Sequence, residues 1–589
     1  MRRTICMILT AAAVLTLTGC GGGYDTYRLY PNEFLLGESV SDSGEVVARS
    51  STGDEYPQLS EEDIQAMNGW KARFVYGDEG YVTFLQGRFC EDKIEDYEQA
   101  VAALQSVSGL IGLGAGSEFF CVSGSQDDDG YTYYTFQQRY GDVTVMYATL
   151  RVVVDPDGCT AGLSSSFVPN LGIAPVSQSI EKEQAEEIVR QQFPDIALEY
   201  YTEQTHKVAV TIEGVSYRAW VVYTSNPNTT AGDWGMQYFE HFVAVDGTYL
   251  YRLPVASFES SNTDAFQPQK YFDKLERQMV SYEAVRYDGS TETLTVPVSY
   301  NPATGRYYLM DPERLIAVGD FYTVVYGGDM DFISSDDPTV WRNGDVLAYD
   351  RYIKAYDFYA GLGLYSVDGS GLPILVCVGY CDFNGLPVDN AGYCGVKYGW
   401  AIFGASDVNY FSEAVDVVGH EFTHGVTSSS AVGSYYANAS GAINEAYSDI
   451  MGNLCEMMGG YTSDTEWLVG ENSGYIFRSM SSPTDYKQPV KLGGTYYMPP
   501  TDTPSAEEND LGGVHQNSSL LAQMAYILYK AGMSLDEERS LWLTSIELLT
   551  PTVGYKEVHA ALLMSVDING FDARYKDVLT EAFRAADMI

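Results

Sequence analysis

The chain has 589 residues, more than a single hydrophobic core serves, so two or more domains are expected. Apolar residues make up 45% and aromatics 13%, with 48 tyrosines, which is a globular composition. The formal net charge of −46 argues against a nucleic-acid partner, which would need clustered Lys and Arg; it fits an exported surface and equally the solvated faces of any acidic protein.

The N-terminus, MRRTICMILTAAAVLTLTGCGGG, starts with Arg2 and Arg3 and continues in an apolar run over residues 5–17. That run is short for a membrane span and suits the apolar part of an export signal. It ends in Leu17-Thr18-Gly19-Cys20, which resembles a bacterial lipobox. The resemblance implies cleavage before Cys20 and lipid attachment to it; the alternative is an ordinary secretory signal with a chance cysteine. Residues 1–20 are thus read as signal and 21–57 as a polar linker opening on a flexible triglycine. Export permits disulfides among the nine cysteines, but spacing does not define their pairing, and no CxxC pair suggests a cysteine zinc site.

From residue 58 to 257, strand-like stretches (YTYYTFQQRYG, TVMYATLRVVVD) alternate with a helix-like one, SIEKEQAEEIVRQQF. The latter spaces Ala185, Val189 and Phe193 as one helix face, with Ser179 as a candidate cap. Residues 257–270, SFESSNTDAFQPQK, form a polar boundary. Strand-like segments follow (TLTVPVSY, RYYLMD), and beyond about Asp345 the chain reads as mainly helical.

Residues 417–426, VVGHEFTHGV, hold two of only six histidines. On a helix His420 and His424 share a face and can offer imidazole nitrogens to one ion. Glu421 stands where a carboxylate can take a proton from metal-activated water. A catalytic zinc needs a third ligand and an open position. The helix-like segment NASGAINEAYSDIMGNLCEM supplies Glu445, 21 positions after His424, and Asp449 one turn further. One carboxylate can then reach the metal while the other orients a ligating histidine. Alone, this pair would read as a solvated acidic face.

HEFTH followed by SGAINEAYSDIMG closely resembles the thermolysin family of zinc endopeptidases. NAGYCG, FRSM, DLGGVHQNSS and the closing segments LLTPTVGYKEVHAALLMSV and VLTEAFRAADM keep that family's order. YTFQQRYGDVTVMYATLRVVVDPDG is similar to the family's propeptide. SIEKEQAEEIV with YFEHFVAVDGTYLYRL resembles the small PepSY-like domain that follows it. The resemblance implies an α+β chain: propeptide domains over 58–175 and 176–257, then a two-lobed catalytic domain. Its β-rich lobe would span 271–427 and its helical lobe 428–589.

The resemblance further implies that His420, His424 and Glu445 hold zinc and that Glu421 is the general base. His515, oriented by Asp510, and Tyr436 would stabilise the oxyanion, with Asp449 and Asn444 behind the ligands. Asn390, the Ala391 backbone and Arg478 would bind substrate, with Arg478 gripping a carbonyl. Val417, Val469, Phe477 and Phe411 would line a pocket for a bulky apolar side chain after the cut bond. A methylene there is worth only about 1–3 kcal/mol, so a broad preference is expected. Asp416, Glu456, Glu466 and Glu471 would hold calcium, one ion rather than two because Leu468 interrupts the acidic run. Gly392 and Cys394 depart from the family's edge strand, and VKYGWAIFGASD lacks its acidic cluster.

Two functions compete. One is an active endopeptidase, made as a precursor that its own propeptide inhibits and helps to fold. The other is a surface-anchored binding protein on a dead peptidase fold. The joint presence of Glu421, all three ligands, Arg478 and His515 favours the first. A lipid on Cys20 would lie on the propeptide side of the boundary, so processing would release the catalytic half from the membrane.

Overall fold

The computed structural model describes residues 27–28, 48–49 and 57–589, apart from 115–116, 128, 177, 195–197, 203, 213, 227–236, 256–271, 321–331, 381–389, 394–398, 405–410, 431–434, 462–466, 502–503 and 505. Cys20 and the expected boundary at 257–270 lie outside the described residues, as does Glu466. No helix among the described residues is long and apolar enough to cross a membrane.

The N-terminal part is built on an antiparallel meander of strands Ser117–Gln126, Thr132–Tyr140, Val143–Val154 and Thr160–Ser165. Its last turn explains itself. Asp155 Oδ1 accepts the N–H groups of Asp157 and Cys159 at 3.0 and 2.8 Å, and Gly158 takes the left-handed φ of +82° that the turn requires. Helices α1 (Glu61–Met67) and α2 (Tyr97–Ser106) are capped by Ser60 and Asp96. The inner face of α2, with Ala100, Ala103 and Leu104, packs on this sheet with Phe119, Phe136 and Leu150.

Helix α3 (Lys182–Gln192) buries Ala185 and Val189 against Trp220, Val222 and Val243. It starts two residues later than expected: Glu181 is the cap, and the Ser179 hydroxyl donates instead to the Ile180 carbonyl. Phe193 packs against the same cluster, as expected, while ending the helix as its C-cap. Strand His206–Ile212 joins strand Val143–Val154 in parallel, Val208 opposite Thr144, so the two parts of the N-terminal half share one sheet path.

The remaining chain opens with the hairpin Glu276–Val285/Thr291–Asn301 and reaches α4 (Asn343–Ala360). Beyond Asp345 the chain is mainly helical, as expected, but strands precede the long helical run. A mixed sheet intervenes, with Ile316–Asp320, Ile374–Tyr380 and Gly399–Gly404 parallel and Ala391–Tyr393 antiparallel at its edge. Helices α5 (Val415–Ser429), α6 (Asn438–Gly459), α7 (Ala506–Asn517), α8 (Ser519–Lys530), α9 (Leu535–Glu547), α10 (Tyr555–Ile568) and α11 (Arg574–Ala585) complete the molecule. Tyr447 of α6 packs edge-on against Trp542 of α9 and meets the Ser545 hydroxyl at 2.7 Å.

The N-terminal meander sits on this helical lobe. Phe84, Tyr133 and Val153 join the core of the helices. Around them Thr83 donates to Glu557 at 2.7 Å and Gln86 to Asp567 at 2.8 Å. Arg151 forms a largely buried ion pair with Glu547 at 3.2 Å. The rings of Tyr147 and Tyr435 also meet edge-on at 5.3 Å.

Candidate active site

Helices α5 and α6 approach unusually closely. A Cβ added to Gly452 would lie 2.3 Å from the Asp416 carbonyl oxygen, and one added to Gly419 would lie 2.9 Å from Gly452 Cα. Glycine is unfavourable inside a helix, by about 1 kcal/mol, so its presence on both facing surfaces has a packing reason. The contact brings Glu445 of α6 opposite both histidines of α5.

His420 and His424 present their Nε2 atoms 3.0 Å apart. Glu445 Oε2 lies 3.5 Å from the first, and Oε1 lies 3.3 Å from the second. The other ring nitrogens are engaged. His420 Nδ1 donates to Asp449 Oδ1 at 2.9 Å, and His424 Nδ1 donates to Asn444 Oδ1 at 2.8 Å. With those protons on Nδ1, both Nε2 lone pairs point at the same place as a carboxylate whose Oε2 is buried and receives no hydrogen bond. Sequence reasoning missed Ser448, whose hydroxyl also reaches His424 Nδ1 at 3.2 Å.

These donors fit zinc: two imidazoles and one carboxylate, with ligand atoms within 4.8 Å of one another. Electrostatics agree. Against burial, Glu445 and Asp449 raise the His420 pKa to about 10, so without a cation a proton takes its place. Against burial again, the His515, His424 and His420 charges hold the Glu445 carboxyl well below its ordinary value.

Glu421 is buried beside the ligands, and burial raises its carboxyl above the usual range. The Tyr436 hydroxyl donates to Glu445 Oε1. His515 Nε2 lies 3.7 Å from the same oxygen, while its Nδ1 donates to Asp510 Oδ1 at 2.6 Å. That pairing needs an irregular start to α7: Asp510, Leu511, Gly512 and Gly513 all have φ between 49° and 84°. A Cβ on Gly512 would strike Asn438 Oδ1 at 2.0 Å. Arg478 grips Asp449 through Nε and Nη2 at 2.7 and 2.6 Å, so one carboxylate orients both a ligand histidine and the arginine.

The rings of Phe411 and Phe477 meet at a 33° tilt with centroids 5.3 Å apart, and both belong to the apolar cluster that includes the buried Val417 and Val469. Asn390 and Ala391, both half-buried, lead into the edge strand Ala391–Tyr393. Asp416, Glu456 and Glu471 form a second cluster, their ligand atoms also within 4.8 Å.

The comparisons agree with this arrangement. Residues 286–428 match the thermolysin metallopeptidase catalytic domain, 433–588 its alpha-helical domain, and 118–167 the fungalysin/thermolysin propeptide motif. Neutral protease NprE of Bacillus pumilus is 33% identical over 296 residues, 47% of this chain and 91% of its own. The chain belongs to the thermolysin family. Thermostable neutral protease NprT of Geobacillus stearothermophilus is 29% identical over 514 residues, 80% of this chain and 86% of its own. Thermolysin of Alicyclobacillus acidocaldarius subsp. acidocaldarius is 28% identical over 536 residues, 85% of this chain and 92% of its own. As a family member the chain is a metallopeptidase precursor that carries its propeptide, with His420, His424 and Glu445 able to bind zinc.

Proposed function

We propose that the catalytic half hydrolyses peptide bonds before bulky apolar residues, with His420, His424 and Glu445 holding one zinc ion. The observation that carries this is the convergence of two Nε2 atoms and one undonated Glu445 oxygen on a single point. Zinc there supplies Lewis acidity toward the substrate carbonyl and toward water. Glu421 is the general base: burial raises its affinity for the proton it takes and then passes to the leaving amine. His515, oriented by Asp510, and Tyr436 donate to the developing oxyanion, where losing one donor lowers kcat by about 10²–10³. Arg478 binds a substrate carbonyl, and Asn390 with the Ala391 backbone holds the peptide as an added strand. Val417, Val469, Phe411 and Phe477 select the side chain after the cut.

The domain limits at 58–175, 176–257, 271–427 and 428–589 belong to the same proposal. So do calcium at Asp416, Glu456 and Glu471, export, and lipid attachment at Cys20. Residues 58–257 act as inhibitor and folding aid. Processing near 257–270 then separates the enzyme from its anchor, unless the propeptide stays bound.

The test uses protein lacking residues 1–23, supplied with zinc and calcium. Self-processing and cleavage of a peptide with leucine after the scissile bond are expected in the parent and absent in Glu421→Gln. Stoichiometric zinc with no cleavage, persisting in a fragment of residues 270–589 refolded with its propeptide and then freed of it, would overturn the proposal in favour of a binding protein.

A further inference from the structure

One strap of chain joins the carboxylate cluster to the specificity pocket. It runs through strand Leu468–Val469, the turn Glu471–Ser473 and strand Arg478–Ser479, with Val469 paired to Arg478. One side carries Val469, Phe477 and Arg478. The other carries Glu471, which faces Asp416 of α5 and Glu456 of α6. Glu456 is fully buried. Its Oε1 accepts from Asn472 Nδ2 at 2.9 Å, and no donor reaches Oε2. A buried, undonated carboxylate oxygen aimed at two further carboxylates calls for a hard divalent cation.

Gly470 links the two sides. Its N–H donates to Asp416 Oδ2. Its φ is +91°, and a Cβ there would lie 2.2 Å from Phe477 Cδ2, so the Phe477 ring rests directly on the Gly470 backbone. Asp416 in turn accepts the Val417 N–H at 2.8 Å.

The three carboxylates are not equally free to separate. Asp416 and Glu456 stand on helices locked together through Gly419 and Gly452. Glu471 stands on the strap. A cation shared by the three would tie Glu471, and with it Gly470 and the Phe477 ring resting on it, to the two locked helices.

We infer that a divalent cation held by Asp416, Glu456 and Glu471 sets the shape of the pocket for the side chain after the cut bond, with Glu471 and Gly470 as positioning residues. The inference rests on the peptidase reading above. Its test compares two zinc-directed probes on the zinc-loaded, self-processed full chain. Acetohydroxamate reads the metal alone; a hydroxamate carrying an isobutyl side chain reads the metal and the pocket. Calcium is expected to tighten the isobutyl probe about tenfold while leaving acetohydroxamate unchanged. Glu471→Gln is expected to abolish that gain, and Glu471→Asp to retain part of it. Equal tightening of both probes, or of neither, overturns the inference, and the wild-type titration decides this even if the variants fail to fold. Failure of acetohydroxamate to bind would instead count against the zinc peptidase reading. In that event buried Trp467, which precedes the strap, gives a separate readout: a calcium-dependent change in emission that is lost in Trp467→Phe supports strap movement, and no such change rejects it.

Discussion

Gly452 lies against the backbone of Asp416 with no room for a methyl group, since an added Cβ would sit 2.3 Å from the Asp416 carbonyl oxygen. Gly452→Ala must therefore part α5 from α6 and carry Glu445 away from the histidines. A cost of about 1–3 kcal/mol is expected, together with weaker zinc binding. Thermal unfolding and competition with a chelator measure both. Gly344→Ala, where the added Cβ meets nothing within 4 Å, serves as the neutral control. Equal behaviour of the two variants would show that the helix contact does not set the site.

Asp449 serves His420 and Arg478 at once. Asp449→Asn keeps the shape but removes the charge that holds the imidazole tautomer and balances a buried guanidinium. Zinc affinity is expected to fall about 10- to 100-fold, read as faster loss of zinc to a chelator. Unchanged zinc retention would remove Asp449 from the metal centre's support.

Arg151 pairs with Glu547 across the junction of propeptide and helical lobe. Arg151→Ala leaves the Glu547 carboxylate without its cation in a half-enclosed place. The processed propeptide is expected to bind about 100-fold more weakly, following the loss of about 3 kcal/mol typical for one partner of a buried pair. Co-elution of the two processed fragments on gel filtration checks this; an intact complex at nanomolar concentration would contradict it.

Glu240 is buried in strand Gln237–Ala244 of the N-terminal part, with Tyr147 donating to its Oε2 at 2.7 Å. Burial raises its pKa, and hydrogen bonds from Tyr147 and Tyr223 only partly offset this. The folded state thus favours the protonated acid. Its contribution to stability is complete below the ordinary carboxyl range and is lost as pH rises through the raised value. Glu240→Gln should flatten the fall in stability as pH rises above the ordinary carboxyl range, and urea unfolding at a series of pH values reads this directly. A parallel fall in parent and variant would assign the pH dependence to other groups.

The ligands were legible in the sequence because helical spacing is local: His420 and His424, and Glu445 and Asp449, are each one turn apart. What sets these pairs against one another is a contact between Gly419 and Gly452, which no local period reports. Strand Ile374–Tyr380 stood in a stretch read as helical because Leu375, Val376 and Cys377 are buried in succession. A strand covered on both faces is as continuously apolar as a buried helix segment. The pairing of Arg151 with Glu547, 396 residues apart, left no trace in either neighbourhood.

The helix behind Glu445 is also the propeptide's dock. Tyr447, two positions from the ligand, packs on Trp542 of α9, and α9 ends at Glu547, which receives Arg151. A chain leaving the ribosome has made its inhibitor long before this helix. One helix, α9, carries both a packing support of the site, through Trp542, and a seat of the propeptide, through Glu547. Displacing α9 would therefore disturb the support of the metal ligand and the seat of the propeptide together.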